Sequence, residues 1–156
     1  MKILATILFL ALTCTAFAAR SPADATRAEV QSTFEHCMDA FRALDGDKFD
    51  ACLDDDVSLF NPDIPEANTL HLVHGRADVG AYFRGMFDSV RAHAPQPRLD
   101  VQPRDVVIQL AGVTAVVTFE FARADGGYGR RTMVLVQRRA GWRILHIHAS
   151  NIAPRP

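Results

Sequence analysis

The hydrophobic period of this chain changes once, and the change constrains the fold more than any single motif. Up to His93 the apolar residues recur at three- and four-residue spacing, and from Arg98 onward they recur at two. Helices gathered first and long strands after them do not make a chain of alternating strand and helix. The 156 residues therefore read as one α+β domain, with the helices packed on one face of a curved antiparallel sheet. A bent sheet covered in this way leaves a conical cavity between the layers.

The helical half reads as three segments. Ser21-Pro22-Ala23-Asp24 opens the first, with Pro suited to the first helical position and Asp24 to its first turn. Val30, Phe34, Cys37, Phe41 and Leu44 form its apolar stripe. Asp45-Gly46-Asp47 ends that helix and caps the next, with Gly46 able to take the left-handed conformation. Phe49, Cys52 and Leu53 form the buried face of this short second helix. Asp54-Asp55-Asp56 reads as a solvated turn, Val57–Phe60 as a first strand, and Ile64 to His74 as a loop holding Glu66, His71 and His74. The third helix runs from about Arg76 to His93, on a stripe of Val79, Tyr82, Phe83, Met86, Phe87 and Val90, and Pro95 and Pro97 stop it.

In the strand half, Leu99, Val101, Val106, Ile108 and Leu110 read as one long strand disturbed at Pro103. Ala111-Gly112 turns the chain into a strand whose Ala115, Val117, Phe119 and Phe121 share a face. Asp125-Gly126-Gly127 is a hairpin signal, and Tyr128–Arg139 is the return strand. The last strand, Trp142–Asn151, puts Trp142, Ile144, His146, His148 and Ser150 on one face and Leu145, Ile147 and Ala149 on the other. Neither is an ordinary solvent face. An interior strand is expected, one side against a core or cavity and the other available to a second subunit.

The first eighteen residues look like a processing segment. Lys2 precedes an apolar run from Ile3 to Leu12, and Ala16-Phe17-Ala18 is a small-x-small cleavage pattern. The run is too short to span a bilayer, so residues 1–18 read as a removed signal and 19–156 as an exported domain, periplasmic or secreted. Export places Cys37 and Cys52 in an oxidising compartment, where they are candidates for a disulfide; two buried thiols are the alternative. Lys+Arg 17 against Asp+Glu 18 leaves a net charge of -1, which gives no basic footprint for nucleic acid. No membrane partner is expected once the signal is removed.

Several stretches carry a resemblance. They are Phe41 through Asp47 with Phe49, Leu59-Phe60-Asn61-Pro62-Asp63, Gly75-Arg76 leading to Tyr82-Phe83, and Arg131 to Val136. The most specific is the ending Gly141-Trp142-Arg143-Ile144-Leu145-His146-Ile147-His148-Ala149-Ser150. Together they resemble the SnoaL-like, or nuclear transport factor 2-like, superfamily over roughly residues 24–152. The nearest likeness is to small bacterial proteins related to the association domain of calcium/calmodulin-dependent protein kinase II. The resemblance implies a cystatin-like cone. It leaves activity open, because the fold hosts isomerases, cyclases, dehydratases, transport factors and oligomerisation hubs.

The candidate site residues follow. Phe60, Tyr82, Phe83, Phe119 and Phe121 are core positions that also line the cavity in folds of this kind. Arg131 is expected to hold a carboxylate, either Glu120 on the adjacent strand or an acidic ligand. Trp142 is a core or interface residue with a secondary claim on the ligand. His146 and His148, at i and i+2, suit hydrogen bonding or a subunit contact, and form a weak candidate pair for a metal. No nucleophile elbow and no phosphate-cradling loop is present, and no cofactor is expected. The expectation is a self-associating domain that binds a small apolar or acidic ligand without catalysis. The alternatives are a cofactor-independent isomerase, cyclase or dehydratase using Glu120 or Asp63 as base with Tyr82 or a histidine at the oxyanion, and a protein-binding hub.

Overall fold

The computed structural model describes residues 22–61, 72–93 and 98–154. The elements run α1 (Pro22–Arg42), α2 (Gly46–Cys52), β1 (Leu53–Phe60), β2 (Val73–His74), α3 (Arg76–His93), β3 (Arg104–Ala111), β4 (Thr114–Ala122), β5 (Tyr128–Arg138) and β6 (Gly141–Ile152). The strands form one sheet in the order β2-β1-β6-β5-β4-β3. Every neighbouring pair is antiparallel except β1 and β6, which run parallel. The three helices cover one face of this curved sheet, the α+β cone expected from the switch in period. The last strand lies inside the sheet, between β1 and β5. The signal segment, Asp63, Glu66, His71, Pro95 and Pro97 lie outside the described residues.

The joint between α1 and α2 differs from expectation. Leu44, not Gly46, takes the left-handed conformation, with φ 56. Its N–H bonds to Phe41 O at 3.1 Å, and the Asp45 N–H reaches back to Ala40 O at 2.9 Å, a Schellman ending with a leucine where glycine is usual. The reason is packing: the Leu44 side chain is fully buried. Asp45 then caps α2 by accepting from the Lys48 N–H at 3.0 Å, and this bond with Lys48 holds its carboxyl below the usual range. Cys37 and Cys52 form a disulfide between α1 and the end of α2, with a Cα–Cα distance of 5.9 Å. Phe41, Phe49, Phe83 and Phe87, drawn from all three helices, meet edge-on or tilted.

Three further boundaries moved. β1 begins at Leu53, so Asp54-Asp55-Asp56 is strand rather than a solvated turn. Asp54 is buried and accepts two bonds from Arg138 of β5, at 2.7 and 3.0 Å. Arg138 keeps the Asp54 carboxyl below its usual range against the opposing effect of burial. Val73 and His74, read as the end of a loop, form a short strand paired with Leu59 and Ser58. The stretch before β3 is not strand. Residues 98–103 are pinned instead to the end of α1, where the Leu99 N–H bonds Arg42 O at 3.0 Å and Arg42 Nε donates to Val101 O at 2.8 Å. The disturbance expected at Pro103 appears just after it, as a register shift between Arg104 and Val107 with Asp105 at φ 51.

A second register shift decides the site. In β6, Ile144 pairs with Leu135 and His146 pairs with Val134, so Leu145 is an extra residue with no partner. Such a bulge reverses which side chains point to which face. Trp142 and Ile144 are buried before it, and Ile147 and Ala149 are buried after it. His146 and His148 are thereby placed on the outer face, not on the face they were expected to share with Trp142 and Ile144.

Candidate functional site

Between the helices and the inner face of the sheet lies a cavity of about 360 Å³, within the range of small-molecule sites. Met38 and Phe41 of α1, Phe49 of α2, and Tyr82, Phe83 and Met86 of α3 form its helical wall. Leu59, Phe119, Phe121, Met133, Ile147 and Ala149 form its sheet wall, and Leu99 and Val101 close one side. Among the described residues its polar side chains are Asn61, Tyr82, Arg123 and Arg131, and no described carboxylate lines it.

The strand registers order these groups. Ala149 pairs with Arg131, and Arg131 pairs with Phe119. One step past the Phe60–His148 pair, Asn61 comes toward Ala149 from the other side. The next row inward holds Leu59, Ile147 and Met133, joined through the Leu59–Ile147 and Ile147–Met133 pairs. A polar row therefore sits beside a purely apolar one. Asn61 donates from Nδ2 to the Tyr82 hydroxyl, so two elements that are remote in sequence meet at one end of the row.

Arg131 is held by the main chain. Its Nη1 donates to Arg130 O at 2.7 Å and Ser150 O at 3.0 Å, with Asn151 Oδ1 at 3.5 Å. Its guanidinium carbon lies 4.8 Å from the centre of the Phe121 ring. That ring in turn rests on Gly129, its partner on β5. A Cβ there would stand 2.3 Å from Phe121 Cζ, so glycine is required for the ring to lie where it supports Arg131. Arg123 lines the cavity and donates to Asp125, the shortest contact being 3.1 Å, which holds the Asp125 carboxyl below its usual range.

Of the residues singled out from sequence, Tyr82, Phe83, Phe119, Phe121 and Arg131 line the cavity; Phe60, Glu120, Trp142, His146 and His148 do not. Glu120 points to the outer face and pairs with Arg130 at 2.9 Å, not with Arg131. The two arginines alternate across β5, and only Arg130 is on the side of Glu120. Glu120 is therefore no cavity base. Trp142 packs beneath α1, with its indole N–H 3.4 Å from Glu29 Oε2. Phe60 is exposed on the outer face, its ring 5.9 Å from His146 and 6.1 Å from His148. His146 Nδ1 lies 2.8 Å from Ser58 Oγ, and burial, followed by the neighbouring His148, pushes its pKa down. Among the described residues no group of three or more His, Cys, Asp or Glu side chains is gathered to hold a metal.

Among the lining residues that sequence reasoning missed are Asn61, Met38, Met86, Met133, Ala149, Leu99 and Arg123, the last expected to be solvated beside the Asp125-Gly126-Gly127 turn. The methionines and Leu99 carry no signal beyond apolarity. Ala149 did have one, because it lies on the face opposite the histidines.

A cone of helices on a curved sheet, enclosing an apolar cavity with arginines among its described lining residues, defines an architecture rather than a particular chemistry. The family model for the SnoaL-like domain matches residues 30–154, and the chain belongs to that family. No curated protein matches it in sequence. Solved structures are similar in fold. One is a Streptomyces avermitilis protein put forward as a dehydratase of the NTF2-like family, 18% identical with a TM-score of 0.66, covering 83% of this chain and 97% of that one. Another is the S. rosetta CaMKII hub, 23% identical with a TM-score of 0.62, covering 86% of this chain and 100% of that one. A third is a Parabacteroides distasonis protein put forward as a ketosteroid isomerase, 22% identical with a TM-score of 0.60, covering 80% of this chain and 86% of that one.

Proposed function

We propose that this chain is an exported binding protein that takes a small apolar or acidic molecule into its conical cavity, without catalysis, and self-associates through the outer face of its sheet. The observation that carries the binding reading is a cavity walled by phenylalanines and methionines, in which the charged side chains among the described lining residues are arginines. A proton-transfer enzyme of the isomerase or dehydratase type needs a carboxylate or imidazole in contact with the substrate. Among the described residues, Glu120, His146 and His148 all face away; Asp63 lies outside them. Export rests on the signal-like residues 1–18, with the mature domain at 19–156, and agrees with the disulfide. No described helix is long and apolar enough to cross a membrane.

Support for self-association comes from the outer face. Phe60 and Val107 are exposed there, beside Val116, Val134, His146 and His148, in a sheet that β6 occupies centrally. One of the proteins similar in fold is named a hub. Native mass spectrometry of the secreted protein tests both parts. An oligomer carrying a bound organic molecule is expected. A strict monomer at micromolar concentration refutes the assembly, and an empty protein that takes up no amphiphile refutes the cavity reading.

A further inference from the structure

The outer face of the sheet is charged along its margins and uncharged through its middle. The strand registers align two adjacent rows across five strands. One row is Phe60, His148, Thr132, Thr118 and Val107; the other is Ser58, His146, Val134, Val116 and Gln109. None of these side chains is buried, while Leu59, Ile147, Met133 and Val117, which alternate with them, all are. On one margin Glu120 and Arg130 pair at 2.9 Å. On the other Asp54 and Arg138 pair at 2.7 Å. Each margin thus carries both signs, and a like surface brought against it can match acid to base. Four rows about 6.8 Å apart and five strands about 4.8 Å apart make a face of roughly 650 Å². That is the order of the roughly 800 Å² each partner gives to a standard interface. An uncharged centre inside a charged rim is also the anatomy of such interfaces.

His146 and His148 lie at the middle of this face, and a second copy laid on it covers both rings. As neutral imidazoles they suit an uncharged centre. As imidazolium ions they put two cations per subunit where, among the described residues, no carboxylate stands in either row. Around them β1 presents Ser58 and Phe60, with Asp56 engaged by His74 at 2.9 Å. From β5 come Thr132 and Val134, with Arg130 engaged by Glu120, and β6 itself adds Arg143 and Ser150. Burial, followed by the neighbouring His148, already pushes the His146 pKa down in the single subunit, and covering the ring pushes it further the same way.

We propose that a second copy of this chain docks on the uncharged band, and that protonation of His146 and His148 releases it. The inference rests on the self-association reading above and adds its surface and its control. The assembled protein holds fewer protons on these rings than two separate subunits do. Assembly is therefore favoured as pH rises and lost as pH falls below the ordinary imidazole range.

The test is sedimentation velocity of the oxidised mature protein at about pH 8 and about pH 5.5, at one ionic strength, with circular dichroism to confirm the fold at both. The dimer Kd is expected to rise by roughly a hundredfold or more at the lower pH, since each imidazole can contribute up to about tenfold per pH unit. His146→Gln combined with His148→Gln should remove that dependence and keep the dimer at low pH. Should the double variant fail to assemble at all, the two single variants decide, each expected to dimerise with about half the pH slope; failure of both overturns the release step. Val134→Arg, in the middle of the band, should give a monomer at both pH values. A wild-type dimer with the same Kd at both overturns the pH control and leaves self-association standing. A wild-type monomer at both overturns self-association itself. A Val134→Arg variant that dimerises like wild type moves the contact off this face, and a double variant with the full pH dependence removes the histidines; either result overturns the proposal.

Discussion

Leu44 tests the backbone on which the helical wall depends. Its side chain is fully buried, and its φ of 56 is a region that a side chain with a Cβ enters at a cost of about 1–2 kcal/mol. Leu44→Ala removes the packing and keeps the strain, so it should destabilise by about 3 kcal/mol, within the span for buried leucines. Leu44→Gly removes slightly more packing but releases the strain, against an unfolded-state entropy cost of about 0.4–1 kcal/mol. Glycine should therefore be the milder substitution, by about 0.5–1 kcal/mol. In an ordinary helical position the order is reversed, glycine being worse than alanine by about 1 kcal/mol. Urea denaturation followed by far-ultraviolet circular dichroism, on oxidised protein, measures both. If the Leu44→Gly variant proved less stable than the Leu44→Ala variant, the left-handed leucine would be refuted, and with it the ending of α1 built on it.

Other outcomes follow from the same structure. Replacing Cys37 and Cys52 together by alanine opens a link across a sequence separation of 15, and should cost about 3 kcal/mol in the chain-entropy account, read from urea midpoints. Asp54, whose folded pKa is depressed chiefly by its bonds from Arg138, contributes stability that is present above the ordinary carboxylate pKa. That stability is lost as pH falls through the lower folded value, so Asp54→Asn should lower stability at neutral pH and flatten the acid limb of the stability profile. Gly129→Ala should push the Phe121 ring off its seat, costing about 1–3 kcal/mol of overpacking, read from urea midpoints. Glu120→Gln, on the outer face, breaks a partly exposed pair with Arg130 and should change stability by less than about 1 kcal/mol in urea denaturation; a larger loss would refute its placement at the surface.

The switch of hydrophobic period at residues 93–98 was enough to specify helices first, strands after, and the layer between them, because burial of a stripe or a face is a local property of sequence. The stripes of α1 and α3, and the alternation of β4, therefore needed no tertiary information. Cys37 and Cys52 could be placed on neighbouring apolar faces, but their bond depended on the distance between two helices. The site was legible only in part. Tyr82, Phe83, Phe119, Phe121 and Arg131 announced themselves by type and period, and alternation alone set Glu120 on the opposite face of its strand from Phe119 and Phe121. The last strand was different: His146 and His148 do not share the face of Trp142 and Ile144, as its alternation implied. A strand's alternation gives relative facing, and one unpaired residue reverses it: Leu145 is that residue, and nothing in its type marks it. Pairing is settled between strands, by what β5 presents to β6 and β1. The same holds for Leu44, where burial against the helices overrode the local preference for glycine.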